Sequence, residues 1–262
     1  NRLVRKDAWE LRELVLAGKD PYARKKEMMQ EIYDAQCIAF GEPVQTFDFS
    51  YRDKDKVYHE ERNLTPLDFY HQYVEGSLRD YVAIVNEPTE IMPLNKPIQF
   101  HGVENMVGRD MLALNLPQKE MEALCVKQLE AGDAIWFACD AGAYGARKEG
   151  VWDPESVCCE ALLGGFSTAM PKGRRLEYNS SSATHAMILV GVHFDETDVP
   201  DRWKIENSWG KDVGDGGYFV CSEKYFEDFV YEAVIHKKHL TEAQRKMLEE
   251  EPVIINAWDE DH

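Results

Sequence analysis

The chain has 262 residues, enough to bury a substantial core in one large domain or two smaller ones, and its 44% hydrophobic and 30% charged residues are ordinary for a folded globular protein. Forty-eight acidic against 30 basic residues leave a net charge of −18, a field that repels phosphate backbones, and no basic stripe interleaved with aromatics offsets it, so nucleic acid is excluded as a partner. The longest apolar run, AMILVGV, falls far short of the ~20 residues a membrane helix requires, so no membrane span is expected.

Residues 3–17 and 22–40 read as helices, the second with Met29, Tyr33, Cys37 and Phe40 on one face and Gly41 and Pro43 as its stop. Phe47, Phe49 and Tyr51 alternate with polar residues before the turn RDKDK and the run VYHEE, which together predict a β-hairpin. Thr65, Pro66 and Asp68 open a third helix in the N-cap, then N1-proline pattern, and DYVAIVN over 80–86 reads as a strand. Residues 87–110, with three prolines, two glycines and no period, read as a surface connection. Beyond them come a strand in MLALNL, a helix in QKEMEALCVKQLEAG, a buried strand in AIWFAC and a glycine-rich irregular stretch over 140–182. From His185 the chain is strongly β, with AMILVGVHF, RWKIENSW, GGYFVCS and VYEAVIH in succession. Thr241 and Gln244 form a capping box for a last helix, 242–250, followed by the extended tail PVIINAWDEDH.

The class is therefore α+β. The expected organisation is a mainly helical domain with a β-hairpin over 1–86, a connecting segment over 87–110, a β domain over 111–240, and a C-terminal helix and arm over 241–262. The first residue is Asn1 rather than an initiator methionine, so the start is an arbitrary boundary. Six cysteines at 37, 125, 139, 158, 159 and 221 lack CxxC spacing and read as reduced thiols of a cytoplasmic protein.

His185 heads an apolar strand after the hydroxyl-rich NSSSAT, and Asn207 ends the next predicted strand 22 residues later, so adjacent antiparallel strands can set the two side by side. A histidine alone at a strand start reads as structural. One held by an asparagine carbonyl keeps a single tautomer without acquiring a second negative charge, which suits pairing with a thiolate, and Trp209 can roof the pair. His236 and His239 in HKKH have chelating spacing but no further ligand pattern, and read as a solvated surface pair. GAYGARKEG lacks the GK[ST] ending of a phosphate loop and is set aside.

THAM before an apolar strand, WKIENSWG and GGYF resemble the C-terminal half of papain-like cysteine peptidases. NRLVRKDAWELRELV, EPVQTFDFSYRDKD, NLTPLDFY, AIWFACDAG, KKHLTEAQ and EEPVIINAWD extend the resemblance, end to end, to the bleomycin hydrolase/aminopeptidase C branch. It implies a papain-like fold whose C-terminal antiparallel β half-barrel carries a helical insertion domain. It also implies that His185 is the general base, Asn207 its orienting partner and Trp209 their shield in a cysteine aminopeptidase that shortens peptide substrates from their amino ends. No metal or organic cofactor is needed.

The nucleophile is not evident. Cys37 lies 148 residues before His185, close to the ~130–150 expected, but it sits late in a helix on the apolar stripe and reads as a core residue. Cys125, Cys139, Cys158, Cys159 and Cys221 also lack the setting of an activated thiol at a helix N-terminus. The resemblance implies that the thiol, with an oxyanion-hole glutamine, belongs to an N-terminal segment preceding Asn1, that this chain is the C-terminal portion, and that alone it is inactive. It further implies a ring-shaped homohexamer. It also implies a terminal arm that meets the substrate's amino end, a region marked here by Asp259 and His262, although Glu260, Asp261 and His262 depart from the usual apolar-rich ending. An acidic tip suits an α-ammonium; a frayed terminus is the alternative. A reading from another class is a non-catalytic papain-like module that binds a partner or completes an assembly.

Overall fold

Helix α1 (Arg2–Leu16) turns through Gly18, at φ 69°, into helix α2 (Tyr22–Phe40). Arg24 ties the two helices, donating from Nε to Glu10 at 2.8 Å and from Nη1 to Glu31 at 2.9 Å. Strands β1 (Phe47–Arg52) and β2 (Tyr58–Leu64) pair antiparallel around a turn in which the Asp53 carboxylate accepts the amides of Asp55 and Val57, both at 2.9 Å. Helix α3 (Pro66–Tyr73) carries the expected cap: Thr65 Oγ1 accepts from the Asp68 amide and the Asp68 carboxylate accepts from the Thr65 amide. Phe49 packs edge-on against Phe69 at 4.9 Å, joining helix to hairpin. The computed structural model describes residues 2–74, 76, 78–102 and 110–256. These first elements form one compact unit, Asn1–Gly76, and the rest of the chain a second, Ser77–His262.

The second unit is built on a mixed sheet. Its strands are β3 (Tyr81–Val85), β4 (Lys96–His101), β5 (Met111–Asn115), β6 (Ile135–Cys139), β7 (Gly145–Ala146), β8 (Val151–Trp152), β9 (His185–Phe194), β10 (Pro200–Glu206), β11 (Tyr218–Ser222), β12 (Val230–His236) and β13 (Val253–Asn256). Its helices are α4 (Gln118–Glu130), α5 (Cys159–Leu162), α6 (Lys172–Glu177), α7 (Glu223–Phe229) and α8 (Glu242–Met247). Among the described residues the order across the sheet is β13-β4-β5-β3-β12-β6-β9-β10-β11-β8-β7. The run from β3 through β11 is antiparallel throughout, as expected of the β half, while β13/β4, β3/β5 and β11/β8 pair parallel. The core includes Phe137, Trp152, Trp203, Phe219, Tyr225 and Phe226, with the rings of Trp203 and Phe226 stacked 4.2 Å apart.

Several expectations differ from what is observed. The limits drawn at 86 and 110 do not follow the contacts: β3 lies in the large sheet between β5 and β12, and the segment 87–110 contains β4, with Ile98 and Phe100 buried. Pro88, Pro93 and Pro97 hid this strand, because proline breaks the sequence pattern, yet Pro97 stands at the second position of β4 and Ile98 and Phe100 still pair with β5. Helix α7 was not anticipated; it is seven residues long, capped by Ser222 accepting from the Tyr225 amide, and too short for its apolar period to stand out between two strands. The stripe on α2 is not a packed face within its unit, since Met29 is 55% and Phe40 88% exposed and Cys37 only half-buried. No helix among the described residues is long and apolar enough to cross a membrane.

Candidate active site

Strand β9 alternates Met187 and Leu189 into the core, and His185, in the same row, stands at the strand's first position, half-buried, where the row leaves the core. Its backbone is set by β6: Cys139 is its register partner, and the Thr184 amide donates to the Cys139 carbonyl at 3.0 Å. Strand β10 pairs Ile205 with Leu189 and Glu206 with Ile188, which carries Asn207 onto the same side of the sheet as His185. The Asn207 amide donates to the Gly217 carbonyl at 3.1 Å, closing the loop before β11. That loop needs glycine at 214, where φ is +59° and a Cβ would stand 2.3 Å from the Tyr218 carbonyl oxygen.

The side chains meet: His185 Nε2 and Asn207 Oδ1 are 3.0 Å apart. The Ser208 amide also donates to Asn207 Oδ1, at 2.7 Å, which identifies that atom as the oxygen and orients the amide group. Nε2 must then carry the proton and donate, so in the neutral ring Nδ1 is the basic nitrogen. Asn207 Nδ2 is buried without a partner among the described residues. An unmet buried donor costs about 1–3 kcal/mol, so the local fold holds this amide in place against its own preference.

Trp209 lies over the imidazole with ring centroids 4.9 Å apart and planes within 19°. It is anchored in turn on the core aromatics Trp152 and Phe219, at 5.8 and 5.6 Å. On its ring also rests Arg147, with the guanidinium carbon 4.5 Å from the centroid. Asp140, next to the register partner Cys139, ties the segment before His185 to the turn after β6: its carboxylate accepts from Ser181 Oγ at 2.7 Å and from the Gly142 amide at 3.1 Å. Tyr231 Oη in turn donates to Ser181 at 2.7 Å, and Thr184 Oγ1 accepts the Ala141 amide at 3.1 Å. The hydroxyl run NSSSAT signals part of this network. Arg147 and the Ser208 amide had no sequence signal, one lying in a motif set aside and the other being backbone.

The other sequence candidates fall elsewhere. Asp259 and His262 lie outside the described residues. Cys125, Cys139 and Cys221 are buried, and burial raises all three thiols, Cys139 to about 12, the opposite of what a nucleophile needs. Cys37 belongs to the first unit, and Cys158 and Cys159 line a cleft with Tyr144, Arg175 and Phe229. No cysteine hydrogen-bonds His185 among the described residues. His239 is not the solvated residue expected; it is 6% exposed, and burial lowers its pKa. Glu122, Glu223 and Glu227 bring carboxylate oxygens within 4.8 Å of one another, but the Lys119 ammonium already bridges all three at 2.6–3.3 Å.

A family model described as Peptidase C1-like matches residues 1–261. Aminopeptidase C of Listeria innocua is 36% identical over 260 residues, covering 99% of this chain and 58% of the relative. Aminopeptidase G of Lactobacillus delbrueckii subsp. lactis is 40% identical over 258 residues, covering 97% and 58%. The crystal structure of PepW from Lactobacillus rhamnosis superposes with a TM-score of 0.90 at 38% identity, covering 98% of this chain and 59% of that one. The chain thus spans about three fifths of the length of these relatives. The α+β, papain-like fold class expected from the sequence is borne out.

Proposed function

The chain belongs to the Peptidase C1-like family, and from that premise we propose that it carries the histidine–asparagine half of a cysteine aminopeptidase whose thiol comes from a segment preceding these residues. The observation that carries this reading is the 3.0 Å His185–Asn207 bond, with the amide oriented by Ser208. The aminopeptidases among its relatives, and their greater length, support it.

In the complete enzyme His185 Nδ1 takes the proton of the thiol, and the thiolate attacks the peptide carbonyl carbon. The tetrahedral intermediate collapses as the imidazolium returns that proton to the leaving amine, and a thioester remains. Water then attacks the thioester with His185 as base, releasing the acid and regenerating the thiol. Asn207 Oδ1 keeps the Nε2–H aligned and steadies the imidazolium, and the indole of Trp209 keeps water from that bond. Without the thiol the chain is inactive by itself. The terminal arm around Asp259 and His262 takes the substrate's α-ammonium, and the working form is a cytoplasmic homohexamer acting on short peptides.

The complete enzyme should hydrolyse an aminoacyl fluorogenic substrate, and both a thiol-directed epoxide and His185→Ala should lower kcat by about 10³-fold or more. Activity that survives both removes the mechanism. The absence of a thiol on His185 among the described residues favours a second reading, a non-catalytic module. Failure of the complete protein to react with the epoxide would select it.

A further inference from the structure

We propose that Arg147 is a specificity residue of this site, binding the carboxylate of the peptide's leaving portion and so favouring substrates that end one or two residues beyond the scissile bond. The proposal rests on the peptidase reading above and adds to it a ligand for a residue that the mechanism does not use.

Arg147 is exposed and makes no ion pair or hydrogen bond among the described residues, in a chain with 48 acidic side chains. Arg24, Arg62, Arg174, Arg175 and Arg202 all reach carboxylates. Arg147 instead lies over Trp209, its guanidinium carbon 4.5 Å from the ring centroid, while Trp209 stacks on His185 at 4.9 Å. Taken together, these distances put the guanidinium no farther than about 9.4 Å from the imidazole. A guanidinium held over an aromatic ring, with no hydrogen-bond partner of its own, keeps N–H groups for a carboxylate, which it can take in bidentate fashion.

The substrate atom that His185 must protonate is the leaving nitrogen, about 3 Å from Nδ1. Each residue beyond that nitrogen advances the chain by roughly 3.3–3.6 Å. In an extended peptide the carboxylate closing the first or second leaving residue thus stands roughly 6–10 Å from Nδ1, a span that matches the separation of Arg147 from the imidazole, and one closing a fourth residue stands well beyond it. On the acyl side the free end is an α-ammonium, which a guanidinium repels. A single cation here thus reads the polarity of a short zwitterionic peptide and admits it in the cleavable direction.

The test uses the complete enzyme and three substrates: a dipeptide, its C-terminal amide, and an aminoacyl arylamide. The ratio of kcat/KM for acid over amide should fall about tenfold in Arg147→Gln, carried by KM, and much less in Arg147→Lys, which keeps the charge. Rising salt should shrink the wild-type ratio in the same direction. An equal fall on acid and amide would make Arg147 only a prop for Trp209 and overturn the proposal, as would a ratio that Arg147→Gln leaves unchanged. If the wild type cleaves the arylamide yet shows no preference for acid over amide, Arg147 is wrongly assigned and the peptidase reading stands; cleavage of none of the three removes both.

Discussion

Among the described positions of residues 1–76 only Asp7, Met28 and Leu64 are buried, whereas the second unit closes a continuous core around Phe137, Trp203, Phe219 and Phe226. Both stretches contain helices and strands that their sequence patterns predict. A hydrophobic stripe forms a helix but does not by itself give that helix a core. In α2 the stripe leaves Phe40 88% exposed, while in the seven-residue α7 Tyr225, Phe226 and Phe229 are all buried. Burial, rather than period, separates an element that is merely formed from one that holds the fold together.

The contrast can be broken most sharply in the core. Trp203→Ala removes a fully buried indole that stacks on Phe226 and donates to Glu223 at 2.7 Å; it should cost about 3–5 kcal/mol in urea unfolding. A loss under 1 kcal/mol would mean this core is not close-packed. A smaller effect concerns Glu223, which burial and a shared hydrogen bond with Glu122 raise to about 8. The native state then holds a proton that the unfolded chain has lost, so stability falls as pH rises from about 4.5 through about 8. Glu223→Gln should flatten that slope, a change on the order of 1 kcal/mol, followed by thermal melts across the range. An undiminished slope would assign it to other groups. The smallest effect is expected in the first unit: Phe40→Ala should change stability by less than about 0.5 kcal/mol. A loss several times larger would place Phe40 under cover that the unit's own residues do not supply.

Much of the fold was legible from sequence where one signal dominated. Thr65 and Thr241 marked helix starts because a hydroxyl cap with Asp68 or Gln244 three residues on satisfies backbone amides locally. The strands from His185 onward were legible because they alternate against a buried face. Strand β4 was not, since proline disguises it, and the limit at 86 separates β3 from its sheet because sheet partners lie far apart in sequence: it pairs with β12, about 150 residues on. His185 and Asn207 could be brought together from strand adjacency alone. Which imidazole nitrogen is basic could not, because that is decided by a backbone amide, Ser208, whose position only the folded loop reveals.

The pairing of β9 with β10 shifts register twice, once between Pro200 and Arg202 and once between Lys204 and Ile205. The first leaves Asp201 as an extra residue on one strand, the second Val190 on the other, so the two offsets cancel and the ladder is in the same phase at its tip as at its base. For lineages that gain or lose residues here, arithmetic follows. Dropping Val190 or Asp201 only straightens a kink, because neither takes part in the count between His185 and Asn207. Dropping any paired residue between His185 and the Val190 kink turns the imidazole to the opposite face of the sheet. The hairpin thus has two places where its length can drift and a stretch where it cannot, a pattern of permitted gaps against which any alignment of related chains can be checked.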